Sequence, residues 1–406
     1  MTMGSTRGTA ALDIAYTGEG RPLFWLTFKT LLLTFLTLGF YRFWMKARLR
    51  RFYWSSIRVG GQPLEFTGTG LEMLLGFLIA VVFLAIYLGI FNLLLTFAGM
   101  ALFQTGAFNL SFLAIIPLIY YAGYRARRYL LSRTRWRGIR FGMGKGAVDY
   151  MIRALGYSLL SIISLGFLVP LMDFRLRKFA VDRTWYGDLR FTQGGSWTGF
   201  LKPWLWVYAG IALIAVGTIG AVQFEAVAMG FVLFIGYVLA IIAGVHYTVA
   251  TMRYAIGTTR LGEGVRFSSQ VSTSRVIGIY VVGSLLVSII MSGVLLVMVA
   301  IAAGVANSLG LLGDLWTIFE GGYLAEPLSE TMTYLMLGLG IAAYAIGILL
   351  FLALNEVFIS QPLLQHYVET VELHNGAELD LAAQRAQDKM TEAEGFADAL
   401  DVGAAF

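Results

Sequence analysis

The residue types that usually carry out catalysis or bind metals are scarce and scattered in this chain. It contains no cysteine, and its three histidines, His246, His366 and His374, match no metal-binding motif. Residues 142–146 are glycine-rich and include a lysine, but they lack the GxxxxGK[ST] spacing and the hydroxyl that would hold Mg²⁺. The sequence therefore predicts no enzymatic activity, no bound metal and no cofactor.

Basic side chains mixed with aromatic ones give the clearest binding pattern. Residues 41–54 include five basic and six aromatic side chains. Each basic group near a membrane surface contributes about 1 kcal/mol of attraction to anionic headgroups, and Trp and Tyr favour the interface. One hypothesis is a specific site for an anionic lipid or a phosphate-bearing ligand, and the alternative is ordinary anchoring of a membrane protein. The candidate residues in this segment are Arg42, Lys46, Arg48, Arg50 and Arg51. Arg175, Arg177 and Lys178, which occupy equivalent positions in a similar segment later in the chain, belong to the same candidate set.

Three polar residues near the ends of apolar segments form a second candidate site. They are His246, Asn355 and Glu356. Ionisable and amide groups inside a membrane are costly, so they are candidates for function. If they face one another, they would form a proton or cation site. The alternative is simple exposure at the membrane interface.

The composition indicates the class of protein in which these residues must be positioned. Of 406 residues, 58% are hydrophobic and 13% charged, and the mean hydropathy is +0.74, which excludes an ordinary soluble protein. Residues 1–275 contain 28 Lys+Arg and 10 Asp+Glu, whereas residues 276–406 contain 2 and 14. We expect membrane lipids, and anionic ones in particular, to be the partners of the basic residues, and we expect no nucleic acid.

Three long apolar blocks predict six transmembrane helices in three hairpins. They cover residues 71–124, 201–252 and 276–358, and each accommodates two helices of about 20 residues. Basic residues crowd the joints between blocks, while the turns inside the blocks contain none. By the positive-inside rule, this distribution predicts that every joint and both termini lie in the cytoplasm.

Two shorter apolar segments, 23–41 and 154–172, do not fit as simple spans. Lys29 interrupts the first, and Gly166 and Pro170 interrupt the second. If each segment crossed the bilayer once, a strongly basic joint would be forced to the outside. We therefore predict two re-entrant or interfacial helical elements. The alternative is an eight-span protein that violates the charge rule once.

Short segments of β character follow the apolar elements at intervals. Most centre on glycine flanked by β-branched and aromatic residues, which predicts small hairpins that must pair with one another or lie on the membrane. The segments are 57–66, 134–141, 184–191, 259–267 and, as a faint acidic copy, 371–379. The repetition indicates duplication. The predicted fold is an all-α polytopic membrane protein with small cytoplasmic β-hairpins.

The same features predict five successive parts of the chain. They are a polar N-terminal segment 1–22, a first membrane repeat 23–147, a second repeat 148–275, a third transmembrane hairpin 276–359 and an acidic cytoplasmic tail 360–406. The tail composition predicts a solvated helix or a disordered segment. The alternative is docking onto the protein's own basic joints or capture of a basic cytosolic partner.

Several separated motifs occur in the same order as in a known protein family. They are Tyr16-x-Gly18-x-Gly20, Leu33-Thr34-x-x-Thr37-Leu38-Gly39-Phe40-Tyr41-x-x-Trp44, Arg51-x-Tyr53, Trp136-Arg137-Gly138-Ile139-Arg140-Phe141 and Ser164-Leu165-Gly166-Phe167 with Pro170. Over roughly residues 14–360 the chain resembles the YjgN family of bacterial inner-membrane proteins, a domain of unknown function. The resemblance implies a multi-pass inner-membrane location, with no established activity or catalytic residues.

The apparent duplication and the broken helices favour transport or channel-like passage of a small solute or lipid-derived substrate, because both features recur in transporters. The alternative is a non-transporting membrane organiser that binds anionic lipid or a cytosolic partner through its basic hairpins. A transporter requires a polar cavity that reaches the bilayer midplane, whereas an organiser functions with a dry bundle. A homo-oligomer is compatible with both hypotheses.

Overall fold

The structure, a computed structural model, describes residues 12–103, 111–224, 227–308, 313 and 330–385. Contacts between residues divide the chain into two units. The described part of the first unit comprises residues 12–18, 42–103, 111–224, 227–277 and 365–385, and that of the second falls within 19–41 and 278–364.

Ten short strands of the first unit pair antiparallel in chain order. They are β1 Ile14–Tyr16, β2 Ile57–Val59, β3 Gln62–Phe66, β4 Thr134–Trp136, β5 Ile139–Met143, β6 Thr184–Tyr186, β7 Leu189–Gln193, β8 Thr259–Leu261, β9 Val265–Ser269 and β10 Val371–His374. The backbone N–H of Leu12 donates to the carbonyl of Leu373 at 2.9 Å, which joins the two ends of the sheet. The result is a barrel-like sheet in which the outermost strands are linked to each other.

The predicted hairpins are confirmed, but the description of the fold as all-α is corrected. Four of the five predicted segments form two-stranded hairpins, and each hairpin pairs with the next one. The faint fifth copy supplies a single strand, β10, followed by a 3₁₀ turn. In the β4–β5 turn both Arg137 and Gly138 have positive φ, the geometry that matches the right-handed twist of a hairpin.

The inside of this sheet is filled with apolar side chains. Trp136, Tyr186, Leu261, Val265 and Leu373 are all buried there. The hydroxyl of Tyr186 donates to the carbonyl of Trp136 at 3.1 Å, and burial raises the pKa of Tyr186 to about 12. The interior of the barrel is therefore a packed core.

Residues 375–385, called the capping segment here, lie against the hairpin turns. Asp380 pairs with Arg137 at 2.5 Å, and the Glu378 carboxylate accepts the backbone N–H of Gly264 at 3.0 Å. The neighbouring Leu379 is only 3% exposed and packs in the barrel core. This part of the tail therefore contacts the protein's own hairpin turns, as the docking alternative expects. Residues 386–406 lie outside the described residues.

The helices alternate with the hairpins along the chain. In order they are α1 Gly20–Leu36, α2 Arg42–Ser56, α3 Gly70–Phe103, α4 Ser111–Arg133, α5 Ala147–Ile163, α6 Val169–Val181, α7 Thr198–Phe224, α8 Val227–Thr258, α9 Thr273–Ser308, α10 Glu330–Asn355 and α11 Gln361–Glu369. A π-helical turn, Glu356–Ser360, joins α10 to α11.

Within the described ranges, five helical segments are long and apolar enough to cross a membrane. They are Gly70–Phe97, Thr198–Gln223, Ala228–Thr258, Thr273–Val305 and Met336–Glu369. The chain is therefore a multi-pass membrane protein. The sixth predicted span corresponds to α4, and the preceding residues 104–110 lie outside the described residues. The exact six-span topology stays a prediction.

The second predicted re-entrant element is the helix pair α5–α6. With 17 and 13 residues, these helices are about 25 and 20 Å long, which is too short to cross a core of about 30 Å. The pair leads from β5 to β6, which are hydrogen-bonded neighbours, so the chain returns to the side from which it left.

The turn between α5 and α6 has a counterpart after α1. Leu165 and Gly166 have φ of 51° and 88°, and Leu38 and Gly39 have φ of 51° and 93°. Both leucines are almost fully exposed, at 88% and 92%. The shared left-handed turn, in which a non-glycine residue is strained, supports the predicted duplication. An exposed leucine at such a turn is suited to contact lipid.

We expect Leu379→Ala to destabilise the protein by about 2–5 kcal/mol, because it removes a buried side chain from the barrel core. The matched control is Leu381→Ala, since Leu381 is 82% exposed two residues later in the same segment. Thermal unfolding of the purified protein in detergent measures the difference. Equal stabilities of the two variants would show that the capping segment does not pack in the core.

Because one hydrogen-bonded sheet cannot lie on both sides of a membrane, we expect its hairpins to share one compartment. Single replacements Arg58→Cys, Arg190→Cys and Arg266→Cys introduce exposed thiols into β2, β7 and β9 of a chain that has no cysteine. A membrane-impermeant thiol reagent, added to sealed cells and to inverted vesicles, should label all three from the same face, which we predict to be cytoplasmic. Labelling from opposite faces would contradict the sheet.

Candidate functional site

Helices α4, α5, α6 and α8 of the first unit border a cavity of about 520 Å³. Seven tyrosine and charged side chains line it, although they come from segments far apart in the sequence. These residues are Tyr120, Tyr124 and Arg127 of α4, Tyr150 of α5, Asp173 and Arg177 of α6, and Tyr247 of α8.

Helical spacing brings these side chains to common faces. Tyr120, Tyr124 and Arg127 are four and three residues apart, and Asp173 and Arg177 are four apart, so each set lies on one side of its helix. The strand pairs β5–β6 and β7–β8 fix the ends of these helices next to one another. The sheet therefore positions the cavity.

Asp173 and Tyr247 form the central polar contact of the cavity. The Tyr247 hydroxyl donates to Oδ2 of Asp173 at 2.6 Å. Burial raises the pKa of the Asp173 carboxyl above its ordinary value, although the Tyr247 hydrogen bond and the Arg177 charge act in the opposite direction. Burial likewise lowers the pKa of Arg177, and the charge of Asp173 opposes this effect. The carboxyl and the guanidinium thus share a partly desolvated environment.

Hydrogen bonds from the cavity wall hold the neighbouring helices in place. The buried Tyr124 donates its hydroxyl to the carbonyl of Gly144 at 2.8 Å, and the hydroxyls of Tyr120 and Ser158 are 2.7 Å apart. The Tyr124 ring also packs against Tyr150, with their centroids 5.2 Å apart. These contacts join α4 to α5 and to the loop before it.

Thr248 and Thr251 of α8 add two hydroxyl groups to the wall, and the apolar side chains in it include Met172, Leu176, Met252 and Phe200, which belongs to α7. Arg127 is exposed towards the open cavity, whereas Arg177 is half-buried. Guanidinium groups beside an apolar wall are suited to bind an anionic group attached to a carbon skeleton. Within the part of the chain that the structure describes, no group of three His, Cys, Asp or Glu side chains is placed to hold a metal ion.

The eight predicted basic residues have different surroundings. Arg177 lines the cavity, and Arg175, two residues earlier, is exposed. Lys178 pairs with Asp182 at 3.1 Å. Their use as a lipid or phosphate site stays a prediction.

The five predicted basic residues of α2 are also divided. Arg50 is buried, with Nη1 3.9 Å from Sδ of Met73, and Arg51 donates to the carbonyl of Gly68 at 3.0 Å. The Arg42 guanidinium lies 5.9 Å from the centre of the Phe43 ring. Lys46 is half-buried and Arg48 is exposed. Arg50 and Arg51 therefore contact the protein itself.

The predicted intramembrane polar residues belong to different units. His246, in the first unit, has Nδ1 3.1 Å from Oγ1 of Thr273. Asn355, in the second, donates its side-chain amide to the carbonyl of Phe351 in its own helix at 2.7 Å. Glu356 begins the π-helical turn, a feature often found at functional sites. A proton or cation site formed by the three residues stays a prediction.

Sequence reasoning missed most of the cavity and found only Arg177. Two signals were present. Asp173 is an acidic residue in the helix that follows the turn of the second predicted re-entrant element, and an ionisable group there marks a functional candidate. The tyrosines and arginine of α4 recur at helical spacing, which indicates a polar face. The contact with Tyr247 had no local signal, because it joins residues 74 positions apart.

The fold defines a class of protein, a multi-pass membrane protein whose helix pairs are joined by a barrel-like sheet. Residues 11–399 match the family described as "Bacterial protein of unknown function (DUF898)", and the chain belongs to this family. It is also similar to the inner membrane protein YjgN of Salmonella typhimurium (strain LT2), with 26% identity over 129 residues, which cover 32% of this chain and 30% of the relative.

The match thus spans less than a third of that relative's length. The family resemblance seen in the motifs is confirmed, and together with the apolar helices it supports a multi-pass inner-membrane location. No solved structure matches the chain.

We expect Asp173 and Tyr247 to be energetically coupled, because a hydrogen bond to a charged group contributes about 1.5–3 kcal/mol. A double-mutant cycle with Asp173→Asn, Tyr247→Phe and the combined variant, measured by unfolding in detergent, gives the coupling energy. Tyr237→Phe is the control, since Tyr237 is an exposed tyrosine on the same helix. A coupling energy between Asp173 and Tyr247 that equals, within error, the coupling energy between Asp173 and Tyr237 would contradict the contact.

Proposed function

We propose that this membrane protein binds a small organic anion in the cavity between α4, α5, α6 and α8 and transports it. The observation that carries the proposal is the presence of Arg127 and Arg177 in one cavity with an apolar wall. A volume of about 520 Å³ lies within the range of about 300–1,000 Å³ that is typical of small-molecule sites.

The charge balance of the cavity favours an anion. It contains two guanidinium groups and one carboxyl, and the carboxyl already accepts a hydrogen bond from Tyr247. Among the described residues, no carboxylate oxygen lies within 4.0 Å of a nitrogen of Arg127 or Arg177. A charge in a partly desolvated site is costly without a counter-charge, and a ligand carboxylate or phosphate supplies one with suitable geometry.

The depth of the cavity favours transport. Tyr247 lies 11 residues before Thr258, where α8 ends at the sheet, which corresponds to about 16 Å along the helix axis. The middle of the candidate span Ala228–Thr258 lies four residues before Tyr247, further from the sheet, which corresponds to about 6 Å along the helix. The cavity therefore extends from the sheet side towards the middle of the span.

The helix pair α5–α6 supplies Tyr150, Asp173 and Arg177, although neither helix is long enough to cross the membrane. Substrate sites formed by broken or re-entrant helices recur in transporters, because such helices expose polar groups inside the bilayer. The alternative proposal is a non-transporting organiser that binds anionic lipid or a cytosolic partner. The exposed Arg48 and Arg175 favour it.

The binding step is tested by ligand-induced thermal stabilisation of the purified protein. The probes are inorganic phosphate, C2–C6 mono- and dicarboxylates and sugar phosphates, each compared with a neutral analogue of similar size. Arg177→Gln should weaken binding of the active anion about 10- to 100-fold, the effect of losing one charged hydrogen-bond partner. Arg175→Gln removes an exposed charge from the same helix and should leave binding unchanged.

Uptake of the stabilising anion into proteoliposomes then tests transport. Uptake that is lost in Arg177→Gln and retained in Arg175→Gln supports the proposal. Stabilisation without uptake would favour the organiser. Absence of stabilisation by every anion, or equal losses in the two variants, would contradict the assignment of the cavity.

A further inference from the structure

A second cavity, of about 350 Å³, lies beside α7 and α8 of the first unit. Its wall includes Lys202, Pro203 and Trp206 of α7 and His246, Arg253 and Tyr254 of α8. It shares no lining residue with the larger cavity.

The packing of α7 against α8 brings Lys202 of α7 and Arg253 of α8 to similar distances from the sheet. The two helices approach closely at glycine, since a Cβ on Gly210 or Gly217 would lie within 3 Å of Ala240 or Leu233 respectively. Strand β7, before α7, pairs with β8, after α8, so α7 begins where α8 ends.

Lys202 lies four residues after the start of α7, and Arg253 five residues before the end of α8. These positions are about 6 and 8 Å from the sheet ends of their helices. Both side chains are exposed, and within the described residues they are the charged groups in the wall of this cavity. Two cations at one depth are suited to hold one phosphate.

The surroundings of the cations are those of a membrane interface. Trp206 lies one helical turn deeper on α7 and is 59% exposed. Its indole combines an apolar ring with an N–H donor, the combination that favours the headgroup region. Leu205, beside it, is also exposed, so an apolar surface continues from the basic pair along α7.

Because of Pro203, the carbonyl oxygen of Gly199 lacks its usual helical N–H donor and is a hydrogen-bond acceptor in the wall. The proline lies inside α7 and has no N–H to donate to the carbonyl of Gly199, four residues earlier. Gly199 itself lines the cavity. A headgroup that carries hydroxyl donors next to its phosphate would bind both the cations and this carbonyl.

We propose that this cavity binds the headgroup of an anionic glycerophospholipid, with the phosphate between Lys202 and Arg253 and the acyl chains along Leu205 and Trp206. None of the eight basic residues predicted from the sequence lines it. The site is independent of the proposed transport function, because it uses a separate set of residues.

Native mass spectrometry of the delipidated full-length protein tests this assignment. The probes are phosphatidylglycerol and phosphatidylcholine with identical acyl chains, which differ in net charge and headgroup. The wild-type protein should retain phosphatidylglycerol at least 10-fold better than phosphatidylcholine. The double variant Lys202→Gln/Arg253→Gln should lose this preference, and Lys202→Arg/Arg253→Lys should keep most of it.

The matched control is Arg58→Gln/Arg190→Gln, which removes two exposed charges from strands β2 and β7. Thermal unfolding of all variants verifies that they are folded. Equal retention of the two lipids by the wild-type protein, or equal loss in the control and in Lys202→Gln/Arg253→Gln, would overturn the proposal. Displacement of phosphatidylglycerol by millimolar inorganic phosphate or glycerol 3-phosphate would assign the cavity to a soluble phosphate and would also overturn it.

Discussion

Antiparallel pairing between successive short strands is the interaction on which the first unit depends. No single hairpin of this length is stable in water, but each one pairs with the next, and the bond from Leu12 to Leu373 joins the last strand to the N-terminal segment. The pairing also sets the course of the chain. Each helix pair between two hairpins must leave the sheet and return to it, whatever its length.

This constraint explains how helices of different lengths share one architecture. The long pair α7–α8 and the short pair α5–α6 both connect strands that are hydrogen-bonded neighbours. The long helices are suited to cross the membrane, whereas the short ones are not long enough to do so. A short pair leaves its polar side chains beside the spanning helices, which is how Asp173 meets Tyr247.

Basic side chains near the sheet and beside the helices have different surroundings. Around the hairpin turns, basic side chains are matched by the protein's own acidic capping segment, as in the pair Arg137–Asp380. Beside the helices, Arg127, Arg177, Lys202 and Arg253 line cavities. The acidic capping segment thus pairs with basic side chains at the hairpin turns, whereas the basic side chains in the cavities are positioned to meet an anion from outside the protein.

The sequence by itself determined the membrane class, the positions of the hairpins and the two interrupted helices, because hydropathy, glycine turns and charge are local properties of the chain. It also singled out Arg177, but as part of a surface rather than a cavity. Only the tertiary structure decided that the hairpins form one sheet and that Asp173 meets Tyr247, 74 residues away. Such pairings depend on which segments the sheet brings together, and no local pattern encodes them.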